Sequence, residues 1–169
     1  MQGGKTIQLR SYNFFLLPAN NYFMGPMHVL LADDDEDDRQ FFRDAFEEIK
    51  IKTYIKTVND GVELMDHLSQ EGNEIPHILF LDLNMPRKTG IDCLLEIKKL
   101  PHLQDMAIAI YSTSSSEKDI EDTFIQGANV YIKKPSDFNS LKKILENVIT
   151  INWQYHTSGL NRDNFMFSL

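Results

Sequence analysis

The chain has 169 residues and a formal net charge of −8, with 42% hydrophobic and 25% charged residues. This length suits one domain with a sizeable core. The acidic balance argues against a general affinity for nucleic acid or acidic membrane, since both need a basic surface. The single cysteine, Cys93, excludes an internal disulfide and a zinc site built from several cysteines. No run reaches the roughly 18 apolar residues of a membrane span, so we expect a cytoplasmic protein.

Three parts of the chain differ in pattern. Residues 1–26 show neither a helical nor a strand period, and we expect an irregular N-terminal extension. Residues 27–150 follow a regular pattern that predicts one domain. Residues 151–169 form the expected C-terminal tail, which carries aromatic residues without a clear period. Packing against the domain, contact with a partner and fraying all stay open for this tail.

Five apolar strands alternate with amphipathic helices in the central part. The strands are expected near 28–33, 53–58, 77–82, 107–112 and 130–133. The intervening stretches repeat apolar residues every 3.6 positions, which predicts helices. The central strands lack alternation, which is typical of a parallel sheet covered on both faces. The predicted fold class is therefore α/β: a flavodoxin-like doubly wound (βα)5 domain with a five-stranded parallel sheet in the order 2-1-3-4-5.

Carboxylates follow the first and third strands. The first strand leads into Asp33 and Asp34, and the third leads into Asp82. In the predicted order these strands are neighbours at the switch point of the sheet, so their acids should converge. Clustered carboxylates repel each other unless a cation lies among them. Hard oxygen ligands suit Mg²⁺, which also shares phosphate ligands, so the sequence predicts a magnesium site beside a phosphate-type ligand.

The acid run 33–38 has two other interpretations. Acids in the first turn of a helix interact favourably with the helix dipole, which accounts for the later members of the run. The alternating aspartates also have the spacing of a calcium loop, but Asp38 stands where such a loop needs its turn glycine. We therefore take Asp33 and Asp34 as candidate ligands and the rest of the run as a helix start.

Polar groups also end the fourth and fifth strands. The fourth strand runs into Ser112 and Thr113, and the fifth runs into Lys134 before Pro135. Each of these has an ordinary explanation as a loop or surface residue. Together with the acids, they put carboxylate, hydroxyl and ammonium groups at four of the five strand ends, which indicates a functional edge.

These segments resemble the receiver domain of two-component response regulators. The resemblance covers roughly residues 27–150, in order and with matching spacing, and the pattern is also similar to single-domain receivers of the phytochrome-associated kind. The matching segments are Leu31-Ala32-Asp33-Asp34, Leu81-Asp82-Leu83-Asn84-Met85-Pro86 with Gly90 after it, Ile110-Tyr111-Ser112-Thr113, and Gly127-Ala128-Asn129-Val130-Tyr131-Ile132-Lys133-Lys134-Pro135.

The resemblance implies a phosphoacceptor. Asp82 would take a phosphoryl group from the phosphohistidine of a sensor histidine kinase or a phosphotransfer protein. Asp34 and Asp82 would hold Mg²⁺ through their side chains and Asn84 through its backbone carbonyl. Asp33 would act on the metal directly or through a bound water.

The resemblance also implies a switch. Lys134 would pair with a phosphoryl oxygen, and a cis peptide bond before Pro135 would fix the strand end. Ser112 would hydrogen-bond the phosphoryl group, and its movement would leave space that Tyr131 fills. Simple packing at a strand edge is the other interpretation of Tyr131. The face of the fourth helix and fifth strand, from Ile120 to Tyr131, would be the signalling surface. A homodimer would form through the fourth helix, fifth strand and fifth helix.

A stand-alone signalling module that is not an enzyme is the favoured interpretation. The alternative is a Mg²⁺-dependent phosphatase or phosphotransferase with an aspartyl nucleophile. Haloacid-dehalogenase-type enzymes place Asp-x-Asp-x-Thr after the first strand, and residues 33–37 lack the threonine. A flavin-binding flavodoxin-like protein would need a phosphate loop at that position, where the acids here would repel phosphate.

Overall fold

The computed structural model describes residues 26–154 and 166–167, with the backbone alone described for 151–154 and 166–167. Strands and helices alternate along the domain. They are β1 Met27–Ala32, α1 Glu36–Glu48, β2 Thr53–Val58, α2 Gly61–Ser69, β3 Ile78–Leu81, α3 Gly90–Ile97, β4 Ala107–Ser112, α4 Glu117–Ile125, β5 Val130–Lys133, α5 Phe138–Gln154 and β6 Met166–Phe167. A short 3₁₀ turn spans Pro101–Leu103.

The strands form one parallel sheet in the order β2-β1-β3-β4-β5-β6. The predicted order of the first five strands is confirmed. Every residue of β3 and β4 is buried, which explains why these strands show no alternation in sequence. Ala32 pairs with Leu81 in the register of β1 and β3, so the residues that follow them emerge side by side.

A sixth strand extends the sheet beyond the five that the sequence predicts. β6 pairs in parallel with β5, where Met166 and Phe167 lie opposite Tyr131 and Ile132. An edge strand exposes unpaired N–H and C=O groups, and β6 covers part of that edge. Helix α5 continues to Gln154, past the predicted start of the tail at 151. The predicted extension at 1–26 lies outside the described residues apart from its last position.

Two apolar layers enclose the sheet because alternate strand residues point to opposite faces. Helices α1 and α5 pack on one face around Phe42, Phe46 and Phe80. The other three helices cover the opposite face around Leu79 and Leu94. Fully burying one such side chain contributes about 1.5–3 kcal/mol, so the two layers hold the strand ends in place. Within residues 26–154, no helix combines the length and apolarity needed to cross a membrane.

Candidate functional site

Three carboxylates meet where β1 and β3 end. Strand pairing continues one residue beyond β3, since the Asp82 N–H donates to the Ala32 carbonyl at 2.9 Å. Asp33 is fully buried and Asp82 is 6% exposed, whereas Asp34 is exposed. Asp33, Asp34 and Asp82 each place an oxygen within 4.8 Å of the others. The predicted convergence of these acids is confirmed.

The chemistry of these three groups fits a divalent cation. The Oδ2 atom of Asp33 is buried without an aligned hydrogen bond from the described residues. Burial raises the pKa of Asp33 to about 6, although the neighbouring Lys134 acts to lower it. A cation would hold this carboxylate in its charged form and reduce the repulsion from Asp82. Carboxylate oxygens are the ligands that hard divalent ions prefer.

Asn84 lies next to the cluster, but the contact in the structure runs through its amide nitrogen. Its backbone N–H donates to Asp82 Oδ1 at 3.2 Å, and its side chain is exposed. The use of the Asn84 carbonyl as a metal ligand stays a prediction.

Lys134 brings a positive charge into direct contact with the carboxylates of the site. Its Nζ lies 2.7 Å from Asp33 Oδ2, 2.7 Å from Asp38 Oδ2 and 3.1 Å from Asp82 Oδ2. Burial acts to lower the pKa of Lys134, but the hydrogen bonds and charges of these acids raise it above its ordinary value. The ammonium also lies 5.3 Å from the centroid of the Tyr111 ring, a favourable cation–π contact. Lys134 is therefore charged and directed at Asp82.

The predicted cis peptide bond before Pro135 is wrong, since every peptide bond in the described residues is trans. A trans bond is favoured by about 0.5–1 kcal/mol even before proline. The strand end is positioned in another way, because the Lys134 N–H donates to the Ser112 carbonyl at 2.8 Å. This bond extends the pairing of β4 and β5 to the lysine itself.

Ser112 and Tyr131 lie together inside the domain. Both are fully buried, and Tyr131 belongs to the apolar layer of α2, α3 and α4. The Tyr131 hydroxyl donates to the Ser114 carbonyl at 3.0 Å, and the Ser114 N–H donates to Ser112 Oγ at 3.3 Å. Burial raises the pKa of Tyr131, while hydrogen bonds to Ser114 and Ser112 oppose that rise. The aromatic ring already occupies an inward position beside Ser112.

The loop between β3 and α3 returns closely to the site. A Cβ at Gly90 would lie 2.1 Å from the Asp82 carbonyl oxygen, so only glycine allows α3 to begin there. Arg87 has a φ of 64°, which is uncommon for a residue with a side chain. Its guanidinium pairs with Asp60, whose other oxygen caps α2 by accepting from the N–H groups of Val62 and Glu63. This pair ties the loop of Asp82 to the start of α2.

Sequence reasoning missed the parts played by Asp38, Asp60 and Arg87. Asp60 does carry a signal, because an aspartate directly before a helical pattern is a common N-cap. The positive φ of Arg87 has no counterpart in the residue pattern. Asp38 was assigned only to the first turn of a helix, where the structure does place it.

The comparisons with known proteins identify the family. The family model described as the response regulator receiver domain matches residues 29–146. Response regulator Rcp1 of Synechocystis sp. is 28% identical over 127 residues, which cover 73% of this chain and 86% of that protein. The chain belongs to the receiver-domain family of two-component response regulators.

Solved structures agree with this assignment. The phosphorylated cyanobacterial phytochrome response regulator RcpA superposes with a TM-score of 0.70 at 30% identity, covering 79% of this chain and 98% of that one. The Mn²⁺-bound form of Rcp1 superposes with a TM-score of 0.69 at 26% identity, covering 80% and 99%. The flavodoxin-like fold class is confirmed, and a divalent cation is present in a relative of this chain.

Proposed function

We propose that Asp82 accepts a phosphoryl group from the phosphohistidine of a sensor histidine kinase or a phosphotransfer protein, with Mg²⁺ as the cofactor. The observation that carries this proposal is the position of the Lys134 ammonium, 3.1 Å from Asp82 Oδ2. The same carboxylate lies within 4.8 Å of Asp33 and Asp34, which are the acids suited to hold the cation. This geometry supports the proposal, because the carboxylate proposed as nucleophile lies beside the two acids proposed as metal ligands and beside a buried ammonium.

In the proposed reaction an oxygen of Asp82 attacks phosphorus and forms a new P–O bond. The P–N bond of the phosphohistidine breaks, and its electron pair stays on the imidazole nitrogen. A carboxylate is a weak nucleophile, so alignment and charge neutralisation provide most of the catalysis. Lys134 donates to a phosphoryl oxygen, and the hydroxyl of Ser112 donates to another. A bound Mg²⁺ would neutralise further charge on the phosphoryl oxygens.

The proposed output is a change in a protein-binding face. A phosphoryl group adds nearly two negative charges and strong acceptor oxygens. Drawing the Ser112 hydroxyl towards it would change the hydrogen bonds that Ser112 shares with Ser114 and Tyr131. These residues border α4, which exposes 66% of Ile125 at its end. We place the signalling surface, and a homodimer contact, on the face of α4, β5 and α5. The expected cytoplasmic location stays a prediction.

Brief exposure to acetyl phosphate with Mg²⁺ tests the proposal. Intact-mass analysis should show one base-labile phosphoryl adduct that Asp82→Asn abolishes. Labelling elsewhere, or no labelling with Mg²⁺ present, would contradict the proposed role of Asp82. Repeated turnover of phosphomonoesters by the same protein would favour the phosphatase alternative.

A further inference from the structure

Three carboxylates already surround the ammonium of Lys134. An ammonium has three N–H donors, and carboxylate oxygens of Asp33, Asp38 and Asp82 all lie within 3.1 Å of Nζ. The aligned hydrogen bonds go to Asp38, at 2.7 Å, and to Asp82, at 3.1 Å. Asp33 Oδ2 lies on the remaining side of Nζ at 2.7 Å, so a phosphoryl oxygen gains a place beside Lys134 when one of the three carboxylates withdraws.

The three carboxylates differ in how easily they can leave. The side chain of Asp33 is 0% exposed and that of Asp82 is 8% exposed, whereas that of Asp38 is 40% exposed. Asp33 and Asp82 also belong to the acid cluster that fits a cation, and Asp38 stands outside it. Asp38 is carried by the first turn of α1 and can turn into water without breaking the strand ends.

We propose that Asp38 is a positioning residue that holds Lys134 in the unphosphorylated protein and is displaced by the phosphoryl group. The inference rests on the proposed phosphorylation of Asp82. A phosphoryl oxygen is a charge-assisted acceptor of the same kind as a carboxylate, so the two compete for one N–H donor. Asp38 thereby slows phosphoryl capture, and its removal frees Lys134 for the incoming group.

Asp38→Asn is the direct test, because asparagine keeps the size of the side chain and removes its charge. We expect the rate constant for phosphorylation by acetyl phosphate to rise roughly two- to fivefold, the range of a partly exposed ion pair. The Mg²⁺-dependent affinity for beryllofluoride, which imitates a phosphoryl group, should rise by a similar factor in calorimetry. The rate of phosphoryl loss should change little, since Lys134 contacts the group both before and during hydrolysis.

Three further variants distinguish the loss of the Asp38–Lys134 ion pair from a general loss of negative charge in the first turn of α1. Asp37→Asn removes the same charge from the same helical turn, but the ion pairs of Lys134 in the described residues do not include Asp37. Asp38→Glu keeps a carboxylate that can contact Lys134. Its phosphorylation rate constant and its beryllofluoride affinity should therefore be close to those of the wild type. Asp38→Ser removes the carboxylate with a different side chain and should act like Asp38→Asn.

The outcomes distinguish this inference from the function on which it rests. A wild type that is never labelled overturns the proposed phosphorylation and the inference with it. A wild type labelled at Asp82, with Asp38→Asn no faster than Asp37→Asn, overturns the inference alone. A lower beryllofluoride affinity in Asp38→Asn would also overturn it, because Asp38 would then support phosphoryl binding.

Discussion

The loops that follow β1 and β2 each hold a buried aspartate, and the two carboxylates have opposite surroundings. Asp60 accepts from the Val62 and Glu63 N–H groups at 2.8 and 2.9 Å and pairs with Arg87. Asp33 accepts one bond at Oδ1, from the Asp35 N–H at 3.0 Å, while its Oδ2 lies 2.7 Å from the Lys134 ammonium without an aligned hydrogen bond from the described residues. A buried charge with full hydrogen bonding supports the fold. A buried charged group that lacks full hydrogen bonding is suited to bind a ligand.

Removing the fully hydrogen-bonded carboxylate of Asp60 should cause the largest change in the free energy of unfolding. Asp60→Ala removes the N-cap of α2 and leaves Arg87 without its partner. Losing a cap costs about 1 kcal/mol, and breaking a buried, hydrogen-bonded carboxylate adds to this, so we expect a loss of about 2–4 kcal/mol. Urea denaturation measures the free energy of unfolding.

Asp66→Ala is the matched control for Asp60→Ala, because Asp66 lies on the exposed side of the same helix. It should change stability by less than about 0.5 kcal/mol. Equal losses in the two variants would contradict the structural role of Asp60.

Removing the charge of Asp33 should change the free energy of unfolding in the opposite direction. Without metal, Asp33→Asn should raise the free energy of unfolding by about 1–2 kcal/mol at pH 7.5, because burial destabilises the charged carboxylate more than the ion pair with Lys134 stabilises it. It should also abolish the stabilisation that Mg²⁺ gives the wild type. Thermal denaturation with EDTA and with Mg²⁺ measures both effects. A large loss of stability without metal would show that Asp33 resembles Asp60.

The pH dependence follows from the raised pKa of Asp33. Its folded pKa of about 6 lies above the ordinary value of 3.8, so the folded protein binds this proton more tightly than the unfolded chain. This group therefore lowers the stability of the metal-free protein as pH rises from about 4 to about 6, with no further change above that range. The proton also competes with a cation, so Mg²⁺ affinity should fall as pH drops below about 6. Calorimetric titration of the wild type at pH 5.5 and 7.5 measures this affinity, and equal affinities at the two pH values would contradict the raised pKa of Asp33.

Arg87→Ala should lower stability less than Asp60→Ala does. The Arg87 side chain is 61% exposed, and Asp60 keeps its two backbone donors in the variant. We expect a loss of about 0.5–1 kcal/mol, as for ion pairs near the surface. Arg87→Gly removes the same pair but suits the positive φ, so it should be more stable than Arg87→Ala by urea denaturation. The reverse order would contradict the φ assigned to Arg87.

Much of the fold and of the acid cluster was predictable from local patterns. Continuous apolar runs indicated parallel strands, and the order of these strands made Asp33 and Asp82 neighbours. β6 was not predictable, since two residues carry no period and their pairing depends on the free edge of β5. The trans bond before Pro135 was also missed, because the expected cis bond came from the family resemblance and not from a local pattern of residues.

By itself the sequence determined the order of elements, the fold class and which strand ends carry carboxylate, hydroxyl and ammonium groups, because apolar periodicity and strand-end residues are local properties. Only the tertiary structure decided which of these groups touch. Asp38 and Lys134 are 96 positions apart, and their side chains meet because the start of α1 and the end of β5 lie at the same edge of the parallel sheet. The lack of an aligned hydrogen bond to Asp33 Oδ2 likewise depends on the burial of this atom and on the orientation of its neighbours, which no residue pattern specifies.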